Sequence, residues 1–221
     1  MTRLTFEKQL RELQEEMLFL GSMVGTATSR AVDALSRLDA RLARQVIAED
    51  QLIDDRRWQL EDHAIQLIAT QQPMAGDLRV VASVMHIATD LERMGDHAEG
   101  IAKIVLMHGD QPLLKPLIDV PRMAELALSM LSRSLDAWVQ RDAEAAAQIA
   151  REDDAVDALY DQIYRELISF MVEDPRTIQR ATWLLWAAHN LERIADRATN
   201  ICERVVYLVT GRIQEINVSK Y

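Results

Sequence analysis

Apolar residues recur every three or four positions along almost the whole chain. The first such stripe runs from Phe6 to Leu38 and includes Leu10, Leu13 and Met17. It spans about 33 residues, which is roughly 50 Å of helix at 1.5 Å per residue. Because a helix of that length needs long neighbours to cover its apolar face, the pattern predicts a bundle of long helices.

Two further helices are predicted in the first half of the chain. The second begins after Asp39, a suitable N-cap, and reaches the QQPMAGD break at residues 71–77. The third carries apolar positions from Val84 to Val105 and ends in HGDQP at residues 108–112. Three long helices with short connections pack as an antiparallel bundle.

The second half of the chain repeats this plan. A shorter fourth helix is predicted from near Pro121, a fifth from an Asp142 cap to the break at residues 174–175, and a sixth that ends at Gly211. A repeat of about 100 residues is too long for a solenoid and indicates a duplicated three-helix unit. We therefore predict an all-α fold of two tandem, pseudo-symmetric three-helix bundles with six long helices, at residues 1–110 and 115–213, followed by a C-terminal tail at residues 214–221.

Composition agrees with a helical fold and limits the function. The chain has seven glycines and five prolines in 221 residues, and its aromatic content is only 5%. Its formal net charge is -10 and no basic block stands apart, so a footprint for a phosphate backbone is absent. We expect no binding to nucleic acid.

Cysteine usage and hydropathy indicate a cytoplasmic protein. Cys202 is the single cysteine, so it cannot form a disulfide within the chain, and no Cys pair of the zinc-binding kind exists. Charged residues interrupt the apolar positions of the N-terminus at every turn, and no apolar run reaches the roughly 18 residues of a membrane span. We therefore expect neither a signal peptide nor a membrane-spanning helix.

Two stretches of the repeat are especially alike: DLERMGDHAEGIAKIV begins at Asp90 and NLERIADRATNICERVV begins at Asn190. Acids four positions apart share a helix face, and both stretches place such a pair beside the buried seam. The second helix of each predicted unit carries a similar pair. Like charges at this spacing repel by a few tenths of a kcal/mol in an isolated helix, so something should offset the repulsion. The paired acids are Asp50 with Asp54, Glu92 with Asp96, Asp153 with Asp157, and Glu192 with Asp196.

Two interpretations explain the paired acids. In the first, neighbouring arginines form a solvated ion-pair network, which is the usual state of a charged helix face. In the second, two helices bring four carboxylates together on a cation. The recurrence of both pairs on matching helices of both halves favours the metal. The arginines considered are Arg57, Arg93, Arg193 and Arg197.

The sequence shows no positive sign of catalysis. None of the five histidines follows a glutamate by three positions, so the Glu-x-x-His signature of ferritin-like di-iron bundles is missing. No phosphate-binding glycine loop and no nucleophile motif occurs. A carboxylate-bridged metalloenzyme stays an alternative, as does a purely structural oligomer. Four side chains could form the self-association face of such an oligomer, although a place in the core explains them better: Met17, Phe19, Trp138 and Trp183.

The twin L-E-R-x-x-D stretches, the QQPMAGDLR turn and the ending NICERVVYLVTG resemble the PhoU family of cytoplasmic regulators of bacterial phosphate uptake and phosphate signalling. The resemblance spans essentially the whole chain. It implies two symmetry-related three-helix bundles and a non-enzymatic protein that represses the phosphate-starvation response. The implied partners are the ATPase subunit of the phosphate ABC transporter and the phosphate-sensing histidine kinase. A homodimer is also implied, with membranes reached only through partners.

The resemblance also implies cofactors, because proteins of this family can carry multinuclear iron or zinc clusters on E(D)-x-x-x-D motifs. Otherwise a divalent cation is expected. The second repeat departs from the pattern at Asn190, Ala195 and Arg197, which makes its site poorer in ligands and lets Arg197 supply the positive charge itself. We therefore expect unequal metal occupancy. The implied ligands are Asp50, Asp54, Glu92, Asp96, Asp153, Asp157, Glu192 and Asp196.

Overall fold

The structure, a computed structural model, describes residues 3–212 and residue 216. In this part of the chain there is no strand, and the prediction of an all-α fold with six long helices in two three-helix units is confirmed. The predicted tail, residues 214–221, lies outside the described residues except for Ile216. The elements are α1 (Arg3–Arg37), α2 (Ala40–Gln71), α3 (Gly76–His108), α4 (Asp119–Gln140), α5 (Ala143–Ala150), α6 (Asp153–Glu173), a 3-10 turn (Pro175–Thr177) and α7 (Ile178–Thr210).

The two halves start their second helices in the same way. The Asp39 carboxylate accepts hydrogen bonds from the N–H groups two and three residues later, at 3.0 and 2.9 Å, and Asp142 does the same at 3.0 and 2.9 Å. The preceding residues, Leu38 and Arg141, have φ values of 52° and 55°. Both predicted caps are confirmed, because each carboxylate satisfies backbone donors that a helix N-terminus leaves unpaired.

The predicted fifth helix is interrupted, which the sequence analysis did not anticipate. A turn at Arg151 and Glu152 separates α5 from α6. Three consecutive acids occupy residues 152–154, and two of them lie in the first turn of α6, a position at which the helix dipole favours acidic residues. The corresponding stretch of α2, residues 49–51, has one acid fewer and stays in one continuous helix.

Helices α3 and α7 pack against each other at the centre of the molecule. Helix α2 packs on α3 and α6 packs on α7, while α1 contacts α2, α3 and α4, and α4 contacts α5, α6 and α7. The buried Nε1–H of Trp138 on α4 donates to Ser83 Oγ on α3 at 2.8 Å. Buried side chains from both units form one hydrophobic cluster, so the repeats share a core. Their bounds at residues 1–110 and 115–213 stay a prediction.

Three of the four side chains considered for self-association lie in the core. Met17, Trp138 and Trp183 are 0%, 1% and 8% exposed, whereas Phe19 is 52% exposed on α1.

Across the described helices, none has both the length and the apolar character that crossing a membrane requires.

Candidate metal centres

The first acidic cluster lies between α2 and α3. Asp50 and Asp54 project from α2, and Glu92 and Asp96 project from α3. Partial burial and the charges of Glu99, Asp54 and Asp96 raise the pKa of Asp50 to about 6. Partial burial likewise raises the pKa of Glu92 and of Asp96, and the charge of Asp54 contributes to both. The predicted acids of this half therefore act on one another across the two helices.

Glu99 belongs to this cluster and was missed by the sequence analysis. Its charge raises the pKa of both Asp50 and Asp96, and its carboxylate accepts a hydrogen bond from Lys103. Glu99 follows Glu92 by seven positions on α3, so it lies on the same helix face. That spacing was the available signal. The equivalent residue in the second half is Thr199, which is buried.

The second acidic cluster lies between α6 and α7 and is more strongly perturbed. Asp153 is only 5% exposed, and burial together with the charges of Asp196, Asp157 and Glu192 raises its pKa to about 7. Burial and the charge of Asp196 also raise the pKa of Glu192 to about 7, although Arg193 opposes this shift. The four predicted acids of this half are thus brought together as well.

Basic side chains neutralise the two clusters only in part. In the second cluster, Arg193 Nη1 donates to Asp196 Oδ2 at 2.6 Å, and His189 Nδ1 lies 3.1 Å from Glu192 Oε2. Arg57 opposes the rise in the pKa of Glu92 in the first cluster. The ion-pair interpretation is therefore correct in part, but the carboxyl pKa values stay raised and repulsion persists.

Arg57 and Arg197 form their ion pairs with acids other than the eight predicted metal ligands. Arg57 Nη2 lies 3.0 Å from Glu61 Oε1 on its own helix. Arg197 Nη1 lies 3.5 Å from Asp90 Oδ1 on α3. Arg193 lowers the pKa of Asp196 more than Arg197 does, so both arginines supply positive charge to the second site and Arg193 contributes the larger share.

The departures in the second motif have a structural cause at the α3–α7 contact. Asp90 accepts weak hydrogen bonds from Arg197 and Asn200 at 3.5 and 3.3 Å. Asn190 is the counterpart of Asp90 and His97 is the counterpart of Arg197, each 100 positions away. These two residues also meet, with 2.9 Å between His97 Nδ1 and Asn190 Oδ1. The two helices are therefore antiparallel. Asn190 and Arg197 differ from their counterparts Asp90 and His97 because the contact between Asp90 and Arg197 is an ion pair, whereas the contact between His97 and Asn190 is a neutral hydrogen bond.

The donor chemistry suits a cation, but the side-chain positions do not yet enclose one. Carboxylate oxygens are the ligands that hard metal ions prefer, and a cation would relieve the repulsion that raises these pKa values. In residues 3–212, however, no group of three or more His, Cys, Asp or Glu side chains is arranged to hold one ion as it stands. Binding would require the carboxylates to rotate towards one another.

The fold and the two acidic clusters define a class: all-α proteins that are built from a duplicated three-helix unit with paired acids on its second and third helices. The family model of the PhoU domain matches residues 18–105 and 120–205, which is the greater part of the chain. The chain belongs to the PhoU family.

Relatives match over nearly their whole length. A protein of Clostridium acetobutylicum named phosphate-specific transport system accessory protein PhoU homolog is 39% identical over 98% of this chain and 100% of its own. The crystal structure of PhoU from Pseudomonas aeruginosa is similar with a TM-score of 0.89 at 34% identity, covering 94% of this chain and 100% of that one. That of the phosphate transport system regulatory protein PhoU from Streptococcus pneumoniae has a TM-score of 0.88 at 37% identity, with 95% and 99% covered.

Proposed function

We propose that this chain is a non-enzymatic regulator of phosphate uptake and phosphate signalling that represses the phosphate-starvation response when phosphate is plentiful. The observation that carries the proposal is the match, in sequence and in fold, to phosphate transport accessory and regulatory proteins over nearly the whole chain. A regulator of this kind needs no catalytic group, because it works by binding one state of its partner more tightly than another.

The proposed partners are the ATPase subunit of the phosphate ABC transporter and the phosphate-sensing histidine kinase. The chain meets both at the membrane from the cytoplasm and works as a homodimer. Support comes from the accessory role that the relatives' names state and from the long helices, whose outer faces offer extended surfaces for contact. A modest preference for one partner state suffices, since about 1.4 kcal/mol changes an equilibrium tenfold.

Deletion of the gene tests the regulatory role. In phosphate-rich medium, cells without the chain should express a phosphate-starvation reporter at least tenfold more strongly than the parent, because repression is lost. Re-expression of the wild-type chain is the control and should restore repression. Equal reporter levels in the deletion strain and the parent would contradict the proposal.

The two acidic clusters are proposed cation sites that hold multinuclear iron or zinc, or otherwise a divalent cation. Support comes from the raised carboxyl pKa values of Asp50, Asp153 and Glu192, which a bound cation would return towards their ordinary range. The cation would neutralise the clusters rather than act on a substrate. The proposed ligands are Asp50, Asp54, Glu92 and Asp96 in the first half and Asp153, Asp157, Glu192 and Asp196 in the second.

Metal content should differ between the two clusters. Elemental analysis by mass spectrometry of protein purified without tag or chelator should find more than one ion per chain, with most of it lost in Glu92→Ala/Asp96→Ala. The variant Glu192→Ala/Asp196→Ala should lose less, because Arg193 and His189 already contact the second cluster and Glu99 adds a carboxylate to the first. Equal, stoichiometric metal in both halves would contradict the unequal occupancy, and a metal-free protein after reconstitution would contradict the sites.

A further inference from the structure

Helices α6 and α7 expose five large apolar side chains, which we call the α6/α7 stripe: Tyr164, Ile168, Val172, Ile178 and Trp186. Their exposure ranges from 37% to 78%. The three on α6 are four residues apart and the two on α7 are eight apart, so each set follows one helix face. The 3-10 turn joins the two helices at one end of the stripe. At the other end, the rings of Tyr160 and His189 lie 6.0 Å apart, so the two sets run side by side.

The equivalent surface of the first half is more polar, although Ile65 and Leu78 keep two of its five positions apolar at 55% and 41% exposed. Glu61 stands at the position of Tyr164, Arg57 at that of Tyr160, and His86 at that of Trp186. Arg57 and Glu61 form an ion pair there, with 3.0 Å between Nη2 and Oε1. The second half therefore exposes large apolar side chains at three positions of this surface where the first half does not, and an exposed apolar patch of this kind marks a contact with another molecule.

The size of the stripe selects its occupant. From Tyr164 to Val172 it is about 12 Å long, and two helices side by side make it roughly 20 Å wide. An area on the order of 240 Å² is about a third of the 800 Å² per partner that a stable protein dimer buries. A single helix that lies along two others fits this area better than a second copy of the chain, and helix-in-groove docking uses such surfaces.

Charge gives the occupant a direction. The Tyr164 end of the stripe adjoins the second acidic cluster. Tyr160 lies one turn before Tyr164, and burial raises its pKa, followed by the charges of Glu192, Tyr164 and Asp161. A partner helix with basic residues at this end would meet complementary charge. A helix with acidic residues there would be repelled.

We propose that the α6/α7 stripe docks an amphipathic helix of a partner protein, with its apolar face on Tyr164, Ile168 and Trp186 and its Lys or Arg residues beside the second acidic cluster. This docking site depends on the proposed regulatory function in one respect, because it requires a protein partner. It adds the surface that this partner contacts.

A synthetic peptide tests the surface directly. The probe is a 16-residue helix with leucines spaced by three and four positions and two arginines at one end, titrated into the full chain in buffer with a chelator so that no cation competes. Ile168→Glu should weaken binding at least tenfold. The matched control is Ile65→Glu, the equivalent and more exposed isoleucine at 55%, which should change binding less than twofold. Glutamates in place of the two arginines should weaken binding at least fivefold.

Several outcomes would overturn the proposal: no binding to the wild-type chain, equal loss in both isoleucine variants, or binding that ignores the peptide's charge. A dimer that Ile168→Glu converts to a monomer in light scattering would assign the stripe to a second copy and would overturn it too. In phosphate-rich cells, Ile168→Glu should release the starvation reporter and Ile65→Glu should not. If deletion of the gene leaves the reporter repressed, the proposed regulatory role is contradicted. If deletion releases the reporter but Ile168→Glu still represses it fully, the regulatory role stands and only the docking proposal is contradicted.

Discussion

Replacing Asp153 by asparagine should stabilise the metal-free protein at pH 8 by on the order of 2 kcal/mol. The carboxyl of Asp153 is almost fully buried among other acids, and its pKa is raised from 3.8 to about 7. A pKa difference of one corresponds to about 1.4 kcal/mol. The expected gain is smaller than the full pKa difference of Asp153 would give, because the neighbouring acids share the repulsion. Asparagine keeps the shape of the side chain and cannot ionise.

The same pKa shift fixes the direction of the pH dependence. Because the folded-state pKa lies above the unfolded value, the stability that a protonated Asp153 contributes is fully present below pH 3.8 and is lost as the pH rises through 7. Glu192, whose pKa is also raised to about 7, adds to this loss. The wild-type chain should therefore become less stable between pH 5 and pH 8, and Asp153→Asn should flatten that decline.

Urea unfolding at pH 5 and pH 8 in the presence of a chelator measures both effects. Glu173→Gln is the control, because it removes the same charge from an exposed residue at the far end of α6 and should change stability by less than about 0.5 kcal/mol. A cation that binds the folded cluster should stabilise the wild-type chain more than Asp153→Asn. A variant that is less stable than wild type at pH 8 in chelator would show that the ionised carboxylate supports the fold.

Most of the fold could be predicted because its determinants are local. The apolar stripe from Phe6 to Leu38, the caps at Asp39 and Asp142 and the stop at Gly211 each depend on a few neighbouring residues. The turn between α5 and α6 was missed because helical periodicity continues across it, and only the three acids at residues 152–154 mark a new N-terminus.

The candidate site could be predicted in part for a similar reason. Acids four apart share a helix face wherever the helix lies, so the pairs at Glu92/Asp96 and Glu192/Asp196 needed only the helix itself. The contact between Asp90 and Arg197 joins residues that are 107 positions apart, and it depends on how α3 packs against α7. Sequence spacing does not contain that packing, so it does not predict the ion pair of Arg197 with Asp90.

Replacing Arg197 by alanine should cost about 1 to 3 kcal/mol, because it removes the ion-pair partner of a nearly buried carboxylate between the two central helices, and the charges of Arg204 and Arg93 compensate only in part. The side chains of Asp90 and Arg197 are only 13% and 15% exposed. Burial raises the pKa of Asp90, while the hydrogen bond from Asn200 and the charges of Arg197, Arg204 and Arg93 oppose that shift. Removing one member of a buried ion pair is strongly destabilising, since the remaining charge keeps its desolvation penalty. The loss should become smaller as the pH falls, because the raised pKa of Asp90 lets it take up a proton more readily than an ordinary aspartate.

The other half of the molecule supplies the compensating change. The double variant Asp90→Asn/Arg197→His replaces the ion pair between α3 and α7 by an asparagine and a histidine. The same two residue types already pair in the wild-type chain, where His97 and Asn190 lie 2.9 Å apart without a formal charge. The double variant should therefore recover most of the stability that Arg197→Ala loses and fall within about 1 kcal/mol of wild type at pH 8. Urea unfolding of the two variants and of Asp90→Asn gives the coupling energy between the two positions. A double variant as unstable as Arg197→Ala would show that the ion pair itself holds α3 against α7. Recovery would show that the contact needs matched partners of either kind, which explains why both positions of the second motif differ together from the first.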